Sequence, residues 1–265
     1  MSKATDPPLI SVISITLNDH DGLRRTIESV QAQVSAPRYE HIIIDGVSDY
    51  DVASLLADLR SDAQLHQGED QGLYDAMNTG TERASGDYLI YLNSGDTFAE
   101  PEVLAKIGAL LTAKQPDFLY GDSLELQLDG QEMFKPAHSH RNAPARMFTH
   151  HQSMVFSNKL IADNRLSYNL SYSIAADYDF VLHVLNHATT ILRLPGVIAK
   201  FSAGGVSQIK HHQGRREQFL VRKTHFDSSV FAARIFVMQT AARLVRSLSP
   251  KLYWRMRAAF GAVFR

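Results

Sequence analysis

Three carboxylates fall where apolar runs end. Asp45 follows His41-Ile42-Ile43-Ile44, Asp96 follows Tyr88-Leu89-Ile90-Tyr91-Leu92, and Asp122 follows Phe118-Leu119-Tyr120. Each run is too short for a free-standing helix and rich enough in β-formers for a buried strand. In open α/β sheets, ligands sit in the crevice beyond the carboxyl ends of the strands. Acids converging there make an anionic cleft, which accepts a polyphosphate only with a divalent cation between them. Singly, each acid serves equally as a cap or turn former. In Asn93-Ser94-Gly95-Asp96, Gly95 lets the backbone turn and present the carboxylate. Glu69 and Asp70 occupy another loop.

A second group, Ala176-Asp177-Tyr178-Asp179, opens a predicted helix. Two acids there complement the helix macrodipole, or one of them is a general base for a hydroxyl nucleophile. His150-His151 suggests a metal, but adjacent histidines on a strand point to opposite faces, so zinc is not expected. The chain contains no P-loop and no G-x-G-x-x-G after its first apolar run, which argues against an ATPase and a dinucleotide oxidoreductase. It has no cysteine, so disulfides and thiolate metal sites are excluded.

The elements that must hold these residues alternate. Leu9–Leu17 reads as a strand buried on both faces. A helix follows with Leu23, Ile27 and Val30 on one face. The strand ending at Asp45 leads to a helix with Val52, Leu55, Leu56 and Leu59. A short strand at Gln64–His66 precedes Glu69-Asp70-Gln71-Gly72 and a helix over 73–84, where Leu73, Met77 and Gly80 are placed for close packing. After Asp96 a helix is expected from Pro101 to about Lys114, then the strand closed by Gly121-Asp122. This alternation predicts a mainly parallel sheet with helices on both faces. Beyond Ser123 the pattern changes to a hairpin turning at Asp129-Gly130, a loop over 136–150, a strand over 151–156, a helix over 176–186, and two strands flanking Pro195-Gly196.

The length of 265 residues allows one large α/β domain with an appendage, and 45% hydrophobic with 21% charged residues is a globular composition. No apolar signal core opens the chain, and no long uncharged apolar stretch follows. A cytoplasmic protein is therefore expected, with a peripheral position on the inner face of the cell membrane open to it.

Ile13-Ser14-Ile15-Thr16-Leu17-Asn18, Ile43-Ile44-Asp45-Gly46-Val47-Ser48-Asp49, Glu69-Asp70-Gln71-Gly72-Leu73-Tyr74-Asp75-Ala76-Met77-Asn78 and Gly86–Asp96 together resemble the family-2 glycosyltransferases. The similarity covers roughly residues 9–205 and is nearest to bacterial members that assemble exopolysaccharide, capsule or O-antigen repeat units. The resemblance implies the α/β nucleotide-sugar fold called GT-A over about 1–209, with a nucleotide-binding half (about 9–123) and an acceptor and catalytic half (about 124–209). It implies an inverting, metal-dependent transferase moving a sugar from a nucleotide-sugar, by default UDP-linked, to a lipid-diphosphate-linked or oligosaccharide acceptor. On the matching positions, Asp45 accepts bonds from the nucleobase, Thr16 and Asn18 lie under the nucleoside, and Asp70, Asn78 and Asn93 complete the nucleotide site. Asp96 is the metal ligand for Mg²⁺ or Mn²⁺, Asp177 the base, and His151, Gln152 and Asp179 belong to the acceptor or diphosphate side. The family's metal signature has more carboxylates than Asn93-Ser94-Gly95-Asp96, so a non-catalytic nucleotide-sugar-binding or scaffold protein stays open. A sugar nucleotidyltransferase also shares the fold, although no Gly-rich basic loop follows the first strand.

Residues 210–265 differ in charge from the rest. From Lys210 onward twelve Lys/Arg face two acids, a net +10, which leaves −11 on residues 1–209. Phe231, Ile235, Met238, Ala242 and Val245 share a helical face, as do Leu252, Met256, Ala259 and Val263. Such a tail packs on protein (its own domain or a second copy) or, through 228–265, lies on an anionic membrane. A nucleic-acid partner is not expected, since few aromatics are available for stacking.

Overall fold

Strand and helix alternate from Ile10 to Tyr91: β1 (Ile10–Thr16), α1 (His20–Gln31), β2 (Tyr39–Asp45), α2 (Val52–Asp58), β3 (Gln64–Gln67), α3 (Leu73–Arg83) and β4 (Tyr88–Tyr91). The computed structural model describes residues 7–127, 129–204 and 210–249. β1 is buried along its whole length and pairs in parallel with β2 on one side and β4 on the other, and β3 extends the block beside β2. The carboxyl ends of these strands therefore share one edge. Leu23, Ile27 and Val30 of α1 are buried as their spacing predicts, and the first two join Ile43, Val52 and Leu55 in a core under one face of the sheet. The other large core gathers Val12, Ile90, Leu92, Leu104, Ile107, Leu119 and Val155. Met77 of α3 is buried, but Leu73, expected to pack with it, is exposed at the first turn.

The second half contains β5 (Thr97–Phe98), α4 (Val103–Lys114), β6 (Phe118–Leu126), β7 (Glu132–Lys135), β8 (Met154–Ser157), α5 (Asn158–Asp163), α6 (Ala176–His187) and β9 (Ile191–Ser202). The sheet order is β3-β2-β1-β4-β8-β6-β9-β5, with β7 paired to β6. β6 runs in the direction of β4, as the alternation predicts. β8 lies between them, antiparallel to both. The parallel part is thus β3-β2-β1-β4, and the part beyond it is mixed. A short apolar run such as Met154-Val155-Phe156 carries no sign of its direction or of its neighbours.

Three boundaries differ from the sequence expectation. β6 does not end at Tyr120 but continues to Leu126 through an irregularity at Asp122, so that Asp122 lies inside a strand. The two strands around Pro195-Gly196 are one strand, β9, whose register against β6 jumps from Tyr120↔Arg193 to Asp122↔Val197. Proline is tolerated in a strand at such a bulge. His151–Ser153 forms a 3-10 turn ahead of β8 rather than part of it.

The chain divides into two compact units, Met1–Lys210 and His211–Arg265. In the second, α7 (His211–His225) packs with α8 (Ser229–Leu248). His211-His212 starts α7. Phe219 meets Phe236 edge to face at 5.9 Å, and the Arg215 guanidinium lies over the Phe236 ring at 4.7 Å. The expected face of Leu252, Met256, Ala259 and Val263 lies outside the described residues.

Candidate active site

Past the end of β4 the chain turns at Gly95, whose φ of 89° suits glycine, and presents Asp96. The turn is fixed from α1: Thr26 Oγ1 accepts from Gly95 N at 3.0 Å and donates to Asp96 O at 2.8 Å. The Asp96 carboxylate is buried, and its Oδ2 accepts from Gln152 Nε2 at 2.9 Å. Burial pushes Asp96 up to about 7, and the nearby Asp19 charge adds to this against the bonds from Gln152 and the Asn93 turn. At its position just before α1, Asp19 is a candidate helix cap. It does cap α1 through Gly22 N, but its Oδ2 also accepts from Ser94 Oγ at 2.8 Å. A second carboxylate thus stands at the turn whose sequence shows only one. Asn93 Oδ1 is buried with no hydrogen-bond partner among the described residues. Asp96, Asp19 and this orphaned amide oxygen are all hard oxygen donors, which fits Mg²⁺ or Mn²⁺.

The nucleotide side is built from two latched loops. Asn18 (φ 56°) donates its backbone N–H to Ser48 Oγ at 2.9 Å, and its Oδ1 accepts from Asp49 N at 2.7 Å. Asp45 is fully buried: Oδ1 accepts from Ser48 N and Ser48 Oγ at 3.0 and 2.6 Å, and Oδ2 accepts from Gln67 Nε2 at 2.9 Å. Its carboxylate holds the loop together through these three bonds. Asp70 stands above it: Oδ1 accepts from Gly72 N, and a Cβ on Gly46 would fall 2.6 Å from Oδ2. Gly46 leaves the room that Asp70 occupies. Leu17 and Val47 are exposed apolar side chains flanking Gly46 in the two loops. Thr16 is buried, with its hydroxyl 3.4 Å from the Tyr50 hydroxyl.

Asn78 does not reach toward the cleft. Its Nδ2 donates to Tyr168 O at 3.0 Å and its Oδ1 accepts from Tyr168 N at 2.8 Å, so both ends of the amide clasp one backbone position. One turn earlier on α3, the Tyr74 ring stacks on Tyr168 at 5.7 Å. Its hydroxyl donates to Ile174 O at 2.8 Å and lies 3.5 Å from Asp177 Oδ1. Tyr74 was missed as a site residue because its tip meets Asp177 across about a hundred residues of chain. No local pattern reports such a contact.

Asp177 is half-buried in the first turn of α6 and also accepts from Tyr178 N at 2.7 Å. Asp179 is buried and lies 3.9 Å from His183 Nε2 one turn on. The two acids therefore face different surroundings. His151 is buried among Tyr91, Phe156 and Tyr168, with Nε2 at 2.7 Å from the Tyr168 hydroxyl, and burial pushes it down to about 3. It is neutral and walled in, while Gln152 beside it reaches Asp96. Asp122 belongs to another environment: Oδ1 accepts from Ala137 N at 2.7 Å and from Arg193 Nη2 at 2.9 Å.

Residues 11–164, more than half of the chain, match the pattern described as Glycosyl transferase family 2. The chain belongs to glycosyl transferase family 2. An uncharacterised glycosyltransferase of Mycobacterium tuberculosis (strain H37Rv) is 39% identical over 183 residues, spanning 67% of this chain and 69% of that protein. Among solved structures, Staphylococcus aureus TarS residues 1–349 in complex with UDP superimposes with a TM-score of 0.66 at 18% identity, covering 91% of this chain and 72% of that one. The mannosyltransferase PcManGT of Pyrobaculum calidifontis, in complex with GDP-Man and Mn²⁺, gives 0.61 at 13% identity, covering 98% and 81%. This family-2 glycosyltransferase therefore has the mixed α/β GT-A fold with its curled sheet.

Proposed function

We propose that the protein transfers a sugar, with inversion, from a nucleotide-sugar to a hydroxyl of a lipid-linked or oligosaccharide acceptor, with a divalent cation at Asp96. The observation that carries this reading is the acidic edge of the parallel block. Asp96, Asp19, Asp45 and Asp70 gather there, and no lysine or arginine forms a salt bridge to any of them among the described residues. An anionic diphosphate can enter such a place only with a cation. Asp96 would hold it, with Asn93 Oδ1 and Asp19 as further oxygen donors, and Gln152 keeps the Asp96 carboxylate in position. The bound cation would supply neutralisation of the charge that develops on the leaving nucleoside diphosphate.

On the nucleoside side, Asp70 is the carboxylate available to a base edge, over a loop kept rigid by Asp45, Asn18 and Ser48. Leu17 and Val47 offer the apolar contact. UDP-sugar is the first donor to test, in line with the UDP complex of the TarS neighbour, and GDP-sugar the second, in line with the GDP-Man complex of the mannosyltransferase. Asp177 takes the proton from the acceptor hydroxyl as it attacks the anomeric carbon. Its partial exposure suits that role better than the burial of Asp179. The histidine His151 is a wall of the site, holding Tyr168 rather than moving protons.

The test is a donor screen on purified protein. UDP- and GDP-sugars are supplied with Mn²⁺, with Mg²⁺ and with chelator, and release of the nucleoside diphosphate is followed. Slow metal-dependent hydrolysis of one donor class is expected even without acceptor. Binding of a donor with no turnover under any condition, acceptor mixtures included, would indicate the non-catalytic scaffold.

A further inference from the structure

The helix α8 has two unlike faces. Phe231, Ile235, Phe236 and Val245 are half-buried and Ala232 is buried, with Phe236 packed on Phe219 of α7. Val230, Val237, Leu244 and Leu248 are 71%, 64%, 58% and 78% exposed, and Met238 is 60% exposed beside them. The first three are spaced seven residues apart, and Leu248 falls one turn further, so they line a single stripe. Over 20 residues that stripe is about 30 Å long at ~1.5 Å per residue. It is offset from the face the periodicity predicts, because three of that face's five residues pack inward. No described helix is long and apolar enough to cross a membrane.

Charge decides what covers the stripe. Arg234 lies within it and Arg243 is exposed on the flank, and from Ser228 to Arg265 there are seven Lys/Arg and no acid. A second copy docking through the same face would set Arg234 and Arg243 against their equivalents, while the helix itself holds no carboxylate and the nearest acid, Asp227, precedes it. An acyl surface with anionic headgroups satisfies both the apolar stripe and its basic margins. We infer that α8 lies flat on an anionic lipid surface, with Val230, Val237, Leu244 and Leu248 inserted between the headgroups and Arg234 and Arg243 at the phosphate level.

The test uses the full chain with sedimented vesicles of phosphatidylcholine alone and of phosphatidylcholine mixed with phosphatidylglycerol. Wild-type protein should bind the mixed vesicles, bind phosphatidylcholine at least about tenfold more weakly, and be released by high salt. Val237→Asp with Leu244→Asp should lower partitioning by about tenfold or more, as two inserted side chains become charged. Val237→Leu with Leu244→Ile should bind as wild type does. Both altered positions are exposed, so circular dichroism and nucleotide binding should be unchanged in all variants, whatever the outcome for catalysis. Equal binding of the double aspartate variant, or equal binding to both vesicle types, overturns the inference. So does a stable dimer in sedimentation equilibrium that the double aspartate variant dissolves, since the stripe then serves a second copy.

Discussion

The two halves of the sheet treat buried carboxylates in opposite ways. In the half containing β6, β7 and β9, Asp122 is paired with Arg193 at 2.9 Å and Glu125 with Lys135 at 2.6 Å. At the edge of the parallel half, Asp45 and Asp96 are as deeply buried, and Asp19 stands by, yet their partners are neutral: Ser48, Gln67, Gln152 and Ser94. Neutral donors orient a carboxylate without cancelling its charge. A protein keeps uncancelled negative charge out of water at a cost in stability, and the cation proposed at this edge would offset it. The paired half needs no ligand to balance its acids, and the unpaired edge is where the proposed function places one.

The largest effect that would sharpen this comparison is at Asp177. A base acts only while the hydroxyl is being deprotonated, so Asp177→Asn should lower kcat by about 10²–10⁴-fold and leave donor affinity nearly unchanged. Asp179→Asn should cost much less, because Asp179 is itself buried and its near neighbour is His183, one turn on. Inactive Asp179→Asn beside active Asp177→Asn would place the base on the other acid.

Tyr74 comes next. Its hydroxyl ties the start of α6 to α3, so Tyr74→Phe should lower kcat by roughly 5–20-fold through loss of one positioning hydrogen bond of ~1–2 kcal/mol. Nucleotide affinity should hold while kcat falls. An unchanged kcat, or a matching loss of nucleotide affinity, would reduce Tyr74 to a packing residue.

On the scaffold side the expected effect is on stability alone. Arg193→Met leaves Asp122 buried without its cation. Because Arg193 is itself half-exposed, the loss should be about 1–2 kcal/mol in denaturant unfolding, with nucleotide binding unaffected. Metal-dependent nucleotide binding that fell with Arg193→Met would break the division between the halves.

These partners explain what the sequence could and could not disclose. The alternation of strand and helix up to β4 and the buried faces of α1 and α2 follow from periodicity, which is local. Asp45, Asp96 and Asp122 look alike in sequence, each closing an apolar run. What distinguishes them is Gln67, Gln152 and Arg193, contributed from other strands and turns. Asp19 stands at the Asp96 turn, and Asn78 clasps Tyr168, for the same reason: the deciding partner is distant in the chain. Likewise the place of β8 between β4 and β6 depends on a slot left open elsewhere in the sheet.

The smallest effect is in the dependence of stability on pH. Burial pushes His41 down to about 4 and His151 down to about 3, whereas both titrate near 6.5 when unfolded. The folded state then binds fewer protons, so this contribution is complete above pH 6.5 and is lost as pH falls toward 4 and then 3. Asp96 has the opposite sign: raised to about 7, it favours the folded state at low pH and loses that contribution as pH rises toward 7. Imidazole resonances followed by NMR should show His41 and His151 neutral at pH 5.5. Protonation of either near pH 6.5 in the folded protein would contradict the burial.

The account stands most directly on one calorimetric titration, UDP or GDP (whichever binds) into wild-type protein, Asp96→Asn and Asp122→Asn, each with and without Mn²⁺. Wild type should bind the nucleotide far more tightly with Mn²⁺. Asp122→Asn should keep that difference, and Asp96→Asn should lose it while still folding. Equal dependence on Mn²⁺ in all three proteins, or its loss in Asp122→Asn alone, would contradict the assignment of the unpaired edge as the cation site.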